Sequence, residues 1–479
     1  MPYVLLSLGA LVALFLAVVI VRTLRFTPKA MPVVSEEEIS FDKDKAVDNL
    51  ARLVRCKTVS RIDHVGEVDE EFDKLVAMLP ELYPSVYAKC TLTTFPDRAL
   101  LYKWEGKKHD EPSVFMAHYD VVPVNEEDWK KPPFDGIMED GVLWGRGTLD
   151  TKATFGGALF AADHLIASGF VPENDIYLAF SGGEEVNGPG ARHIVDYFEK
   201  NGLNPAMVLD EGGAVVEGAF PGLKSACAVI GIAEKGMIDV EYRVKSNGGH
   251  ASAPKPHTPV GVLSAACVKV EKKPFKSHIT KPVAEMFDTL GRHSSFLYKM
   301  IFANMWCFGW VIDLLGKLQG GDINALVRTT VAFTQMSGSS ASNVIPPEAT
   351  MVSNLRLNPC DTMESALEYL KGAVDDEKVQ LSILRGYNPS RISRTDCEGY
   401  DRVVNAVAST WRGAIPTPYL MMQCSDSRHW GRISDKVYRF SAMDLTNEER
   451  ASIHGNNERI RFECVHKACE FFIRIMMKS

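Results

Sequence analysis

Nothing in this 479-residue chain marks a nucleic-acid binder. Acidic residues outnumber basic ones by 61 to 53 and the net charge is −8. No lysine and arginine block lies along a helical stretch, so the electrostatic footprint for a phosphate backbone is missing. A disulfide framework is missing too. The ten cysteines are scattered from Cys56 to Cys469 without paired spacing, as in a chain that need not oxidise. Charge-free apolar runs are scarce, and the first stands at the N-terminus. Val4 to Val21 carries no charge over 18 positions, which at about 1.5 Å per residue makes roughly 27 Å of helix, close to a bilayer core. No basic residue precedes the run and no small-residue cleavage site closes it, so residues 1–29 are expected to be an uncleaved membrane anchor rather than a signal peptide. Arg22, Arg25 and Lys29 follow the run, and the positive-inside rule would then hold the rest of the chain in the cytoplasm.

What remains is ordinary globular composition, 46% hydrophobic and 24% charged, in a length that one core seldom organises. After a Pro-containing, acidic linker over residues 30–41, helical periodicity starts near Asp42. "PSVFMAH", "DIYLAFSGGEE" and "AMVLDEGG" read as strands, and "TKATFGGALFAADHLIAS" and "GARHIVDYFEKNG" as helices. That alternation is the signature of a largely parallel α/β sheet. From about Val229 to Tyr387 the pattern changes: "MIDVEYRVKS", "TMVSNLRLNP" and "KVQLSILRG" alternate like strands with one solvated face. An α+β lid over residues 229–387 is expected there, splitting a catalytic domain into residues 42–228 and 388–479.

In open α/β sheets, chemistry gathers at the carboxyl ends of strands. His118 and Asp120 follow the first apolar run, Asp150 follows "GVLWGRGTL", Glu184 and Glu185 follow "IYLAFSGG", and Asp210 follows "AMVL". One imidazole and several carboxylates on a shared rim repel one another unless cations are bound, and these are ligand types that zinc accepts in hydrolytic sites.

Eight ordered motifs, "HYDVVPV", "WGRGTLDTK", "GGEEVNG", "LDEGG", "GGHASAP", "SNVIPPEA", "SDSR" and "IHGNNE", resemble those of the cocatalytic dizinc peptidases and deacylases. They are most similar to the branch that holds carboxypeptidase S and the N-fatty-acyl-amino-acid synthase/hydrolases. The resemblance implies a zinc-peptidase-like α/β catalytic domain with a mostly parallel central sheet and an inserted ferredoxin-like lid. It implies two Zn²⁺ ions, with Co²⁺ or Mn²⁺ as possible substitutes. One ion would be held by His118 and Asp210, the other by Glu185 and His454, with Asp150 bridging. Asp120 would accept the other N–H of His118 and fix its tautomer. Glu184 would be the general base. His250 of the lid would stabilise the oxyanion, Asn343 and Arg356 would contact substrate, and Arg428 would grip its carboxylate. The implied substrate is an N-acyl amino acid or a short peptide, cleaved at its amide bond or formed by the reverse condensation. A homodimer through the lid and a secreted or lumenal location are further implications of the family.

Two features stay open. The stretch "FLYKMIFANMWCFGWVIDLLGKL", within an apolar insertion at about residues 285–320, fits a buried or interfacial helix, or the wall of an acyl channel that touches a bilayer. "CVHKAC" places Cys464 and His466 about 200° apart on a helix, which fits packing rather than a metal knuckle. From a different class, a membrane-tethered binding protein with a dead metal site is the rival, and an intact Glu184 speaks against it.

Overall fold

The computed structural model describes residues 2–479 apart from Met31, Val33, Ala219 and Pro221. Met1 of the expected anchor and Met31 and Val33 of the expected linker lie outside the described residues. Twelve strands build the two principal sheets: β1 (Thr91–Phe95), β2 (Ala99–Trp104), β3 (Lys108–His118), β4 (Asn174–Ser181), β5 (Met207–Val216), β6 (Cys227–Glu234), β7 (Gly236–Lys245), β8 (Thr330–Ser337), β9 (Glu348–Leu357), β10 (Gln380–Tyr387), β11 (Ile415–Met421) and β12 (Val437–Leu445).

The large sheet runs β1-β2-β4-β3-β5-β12-β6-β11. Its centre, β4-β3-β5-β12, is parallel, and His118 sits opposite Ser181 across β3 and β4. Every residue of β4 is buried, as is the C-terminal part of β3. This is why these strands read as continuous apolar runs: both faces of a parallel sheet are covered. Gly213 of "LDEGG" is required by contact between strands, since a Cβ there would stand 1.7 Å from the carbonyl oxygen of Val229.

The small sheet is antiparallel, in the order β8-β9-β7-β10. Helices Pro259–Lys272 and Met363–Val374 pack on it around Ile238, Val240, Leu263, Leu355 and Leu370. Its start differs from expectation. Val229 lies in β6, which pairs with β11 in the large sheet, so the lid sheet begins at Gly236. An apolar strand buried on both faces carries no mark of which sheet it joins.

The helices that matter for the site are α1 (Pro2–Arg25), α2 (Lys152–Ala167), α3 (Gly190–Lys200), α4 (Lys281–His293), α5 (Phe296–Ala303), α6 (Met305–Gln319), α7 (Gly321–Val327) and α8 (Phe462–Met476). α2 follows Asp150 directly and is buried almost all round. α8 buries Cys464 and Cys469 in the same core, and all ten cysteines are free. α4 to α7 interrupt the lid in sequence, yet they leave it in space. Met286, Phe287, Leu290 and Leu326 join the core of the large sheet. α1 is the one described helix that by itself is long and apolar enough to cross a membrane.

Candidate metal centre and active site

The carboxyl ends of β3, β4 and β5 converge, and the chain beyond them supplies the rest. His118 is the last residue of β3, Glu184 and Glu185 form a short turn past β4, and Glu211 lies within β5. Asp150 ends the loop before α2, and His454 sits on a left-handed turn (φ 58°) before α8.

Asp150 presents one oxygen to each histidine. Its Oδ1 is 3.0 Å from His118 Nε2 and its Oδ2 is 3.0 Å from His454 Nε2. Glu185 Oε2 approaches the same His454 nitrogen at 3.1 Å, while Glu211 Oε1 approaches His118 Nε2 at 3.3 Å. Donor atoms of His118, Asp150 and Glu185 lie within 4.8 Å of one another, and so do those of His118, Glu184 and Glu211.

One residue expected at the cluster lies elsewhere. Asp210, assigned to the His118 side, turns the other way and accepts the backbone N–H of Ser427 at 2.9 Å, and Glu211 stands at His118 instead. Adjacent residues on a strand point to opposite faces, so only one of the pair can face the cluster. Asp120 also does more than expected. The N–H at His118 Nδ1 donates to the backbone carbonyl of Asp120 (3.0 Å), with the carboxylate beside it at 3.3 Å. That carboxylate accepts from Ser60 Oγ (2.6 Å) and from the backbone N–H groups of Glu184 (3.1 Å) and Glu185 (3.2 Å). It ties β3 to the turn that carries both glutamates.

Glu458 escaped sequence reasoning. It is fully buried, paired to Arg146 at 2.6 Å, and accepts the backbone N–H groups of Gly147 (3.1 Å), Leu149 (2.7 Å) and Asp150 (3.2 Å). The loop that presents Asp150 is wrapped around this one carboxylate. The "E" of "IHGNNE" marked the place, but a residue that acts on main-chain amides leaves no pairing pattern in sequence.

Asp150 is the exception to an upward shift across the cluster. Burial drives the Glu184 carboxyl well above the carboxylate range. Burial, joined by the charge of Asp150, pushes those of Glu185 and Glu211 up to about 7. Hydrogen bonds to Asp150 and Glu185 lift His454 to about 10. Against the upward push of burial, His118 and His454 hold Asp150 well below its usual value. Glu185 Oε1 is buried without a hydrogen-bond partner. A cluster of four carboxylates and two imidazoles in which Asp150 alone stays readily ionised while the other groups are pushed toward their protonated forms, and which leaves a buried oxygen unpaired, fits the donor set of a cation site.

A cavity of ≈ 580 Å³ opens from this cluster. Its lining joins Asp150, Glu184, Glu185, Glu211 and His454 to the apolar side chains of Val216, Phe220, Met286, Leu290, Leu326 and Met443, with Asp322 and Arg450 also on its wall. A second cavity of ≈ 590 Å³ holds Arg192, Arg385, Arg391, Arg428 and Arg432 with Tyr387. Arg428 lies 5.0 Å from the Tyr387 ring centroid and donates to the Ser425 carbonyl at 2.7 Å. Arg356 donates to Cys424 Sγ at 3.4 Å, and Cys424 lines the first cavity.

His250 and Asn343 are not brought to the cluster. Both are exposed. His250 bonds Ser252 Oγ at 2.7 Å, and Asn343 accepts the backbone N–H of Ala251 at 2.9 Å. Their expected roles find no contact with the carboxylates among the described residues.

Comparison with known proteins now bears on the whole chain. The model of peptidase family M20/M25/M40 matches residues 114–478. The N-fatty-acyl-amino acid synthase/hydrolase of Xenopus tropicalis is 32% identical over 446 residues, covering 91% of this chain and 86% of that protein. A probable carboxypeptidase S-like protein of Dictyostelium discoideum is 31% identical over 479 residues, covering 97% and 92%. Among solved structures, the M20 family metallo-carboxypeptidase Sso-CP2 of Sulfolobus solfataricus superposes with a TM-score of 0.66 at 18% identity, over 90% of this chain and 98% of that one. With its mostly parallel sheet, inserted lid and carboxylate-rich rim, the chain belongs to peptidase family M20/M25/M40 and is an enzyme of that metal-dependent hydrolase class.

Proposed function

We propose that this enzyme hydrolyses the amide bond of N-acyl amino acids that carry a free carboxylate, long-chain fatty-acyl amino acids among them, at a centre of two Zn²⁺ ions. The observation that carries the proposal is the first cavity: the carboxylate and imidazole cluster lines it together with the apolar side chains of Val216, Phe220, Met286, Leu290, Leu326 and Met443. An amide at the cluster would leave an acyl chain among Phe220, Met286 and Leu290, and the amino acid's carboxylate toward the arginines around Arg428. The name of the Xenopus relative favours the same substrate class.

His118 and Glu211 would hold one ion, Glu185 and His454 the other, and Asp150 would serve both with its two oxygens. When bound, such ions would lower the pKa of the attacking water and offset negative charge developing on the substrate carbonyl. The chain's own residues do the rest. Glu184, buried beside Glu211 and within reach of Arg428, takes the proton from the attacking water and returns it to the leaving nitrogen. Asp120 holds the Glu184 and Glu185 amides, so base and ligand keep a fixed offset. Arg428, with its guanidinium stacked on Tyr387, is preorganised for a carboxylate. α1 is proposed as an uncleaved anchor that keeps this site beside a membrane.

The test is a panel of kcat/KM values with zinc-loaded full-length protein. A long-chain acyl amino acid is expected to exceed both a short-chain one and an N-blocked dipeptide. Preference for the dipeptide would instead support a carboxypeptidase S-like exopeptidase, the second possibility favoured by the Dictyostelium relative.

A further inference from the structure

The apolar pair α5 and α6 is the strongest feature that the site does not absorb. The two helices meet at Asn304 with a bend of 112°. Asn304 is fully buried, and its side-chain amide donates to the Val19 carbonyl (3.2 Å) and to Thr23 Oγ1 (3.1 Å) of α1. Arg22 closes the same joint, donating from Nε and Nη2 to the Ala303 carbonyl at 3.3 and 3.1 Å. Among its described residues, only Val19 and Thr23 of α1 are buried. A polar joint between otherwise apolar helices is what holds helices together in lipid, where apolar faces have no drive to associate.

On α6, Trp306, Trp310, Leu314 and Leu318 recur every four residues and therefore share one stripe. All four are exposed, Leu318 by 74%. The stripe is continuous with the anchor, since Trp306 meets the ring of Phe15 edge-on at 5.8 Å. Phe296 and Leu297 extend the exposed apolar surface onto α5. The one acidic side chain of α6, Asp313, is already paired, to Arg328 at 2.6 Å and Lys317 at 2.7 Å. An apolar face of this length beside a helix of mean hydropathy 3.1 is matched by a hydrocarbon environment.

We propose that α5 and α6 dip into the same bilayer leaflet as the C-terminal half of α1, so that anchor and hairpin form one membrane-embedded unit. The occupant of the Trp306–Leu318 stripe is the acyl-chain region of the bilayer, because the stripe continues the surface of α1. The inference rests on the proposed substrate only for its purpose. Phe302 of α5 stands 5.1 Å, centroid to centroid, from Phe220, which lines the cavity. Lipid face and acyl pocket are thus back to back, and an acylated substrate would be drawn from the membrane.

The experiment places the full-length protein in phosphatidylcholine vesicles whose acyl chains carry bromine, a short-range quencher of tryptophan. Wild-type emission is expected to be quenched, and the Trp306→Phe/Trp310→Phe double variant is expected to lose most of that quenching. The other five tryptophans belong to the catalytic body. No quenching in the wild type, or equal quenching in both proteins, overturns the proposal. Shielding of Trp306 and Trp310 from both bromine and aqueous acrylamide would put a second copy of the chain on the stripe and overturns it as well. Turnover does not enter the readout, so failure here is distinct from failure of the substrate assignment.

Discussion

Asp210 and Glu211 are neighbours on one strand and serve opposite faces of it. Glu211 Oε1 stands 3.3 Å from His118 Nε2, whereas Asp210 Oδ2 receives the Ser427 amide at 2.9 Å, next to Arg428. The two carboxylates should therefore respond differently to removal. Glu211→Ala is expected to lower bound metal by about half and to abolish turnover. Asp210→Asn is expected to keep both ions, with metal affinity weakened by no more than about 10–100-fold, and to raise KM through the loop that carries Arg428. Metal analysis of the two purified variants checks this, and metal loss confined to Asp210→Asn would reverse the assignment.

Glu184 shares its turn with Glu185 but is reserved for proton transfer in the proposed mechanism. Glu184→Gln keeps the size and the Asp120 contact to its backbone while removing the base. A fall in kcat of about 10²–10⁴-fold with unchanged metal content is expected. Loss of metal along with rate would make Glu184 a ligand instead.

Glu458 supports Asp150 without touching the reaction. It neutralises the buried Arg146 and accepts three backbone amides of the loop before α2. Glu458→Ala leaves a buried guanidinium and those amides without a partner, for an expected loss of about 3–5 kcal/mol in unfolding free energy. Denaturant titration measures it, and a change below about 1 kcal/mol would mean that water or neighbouring groups take over the role.

His429, next to Arg428, gives the fold an acid-sensitive element. Burial first, then the charges of Arg428, Arg432 and Arg192, push its pKa down to about 4. The unfolded chain takes up a proton near pH 6.5 that the folded chain refuses until about pH 4, so stability falls as pH drops through that window. The contribution is up to about 3 kcal/mol. The His429→Phe variant is expected to lose less stability than wild type between pH 6.5 and 4, and parallel pH profiles of the two proteins would reject the assignment.

The chain declares its catalytic rim readily. His118, Asp150 and Glu185 each lie at the end of a strand or loop that the apolar pattern locates, His454 is marked only by its motif, and the structure brings all four together. The choice between Asp210 and Glu211 depends on strand phase, which one apolar run does not fix when both of its ends are polar. Glu458 was silent because it bonds to main chain. The edge of the lid at Gly236 instead of Val229 was hidden because a strand buried on both faces looks alike in either sheet. Apolarity of the 285–320 insertion was plain, but its partners were not: contact with Phe220 and with Val19 and Thr23 of α1 joins segments far apart in the chain. His250 and Asn343 are recognisable by motif alone, and here they pair with each other's loops.

The central claim is that two ions share Asp150, one on the His118 side and one on the His454 side. Anomalous diffraction from crystals of the zinc-loaded protein, collected on either side of the zinc absorption edge, tests it most directly. Two peaks flanking the Asp150 carboxylate, one next to Glu211 and the other next to Glu185, are predicted. A single peak, or a peak coordinated by Asp210 with Glu211 turned away, would contradict it.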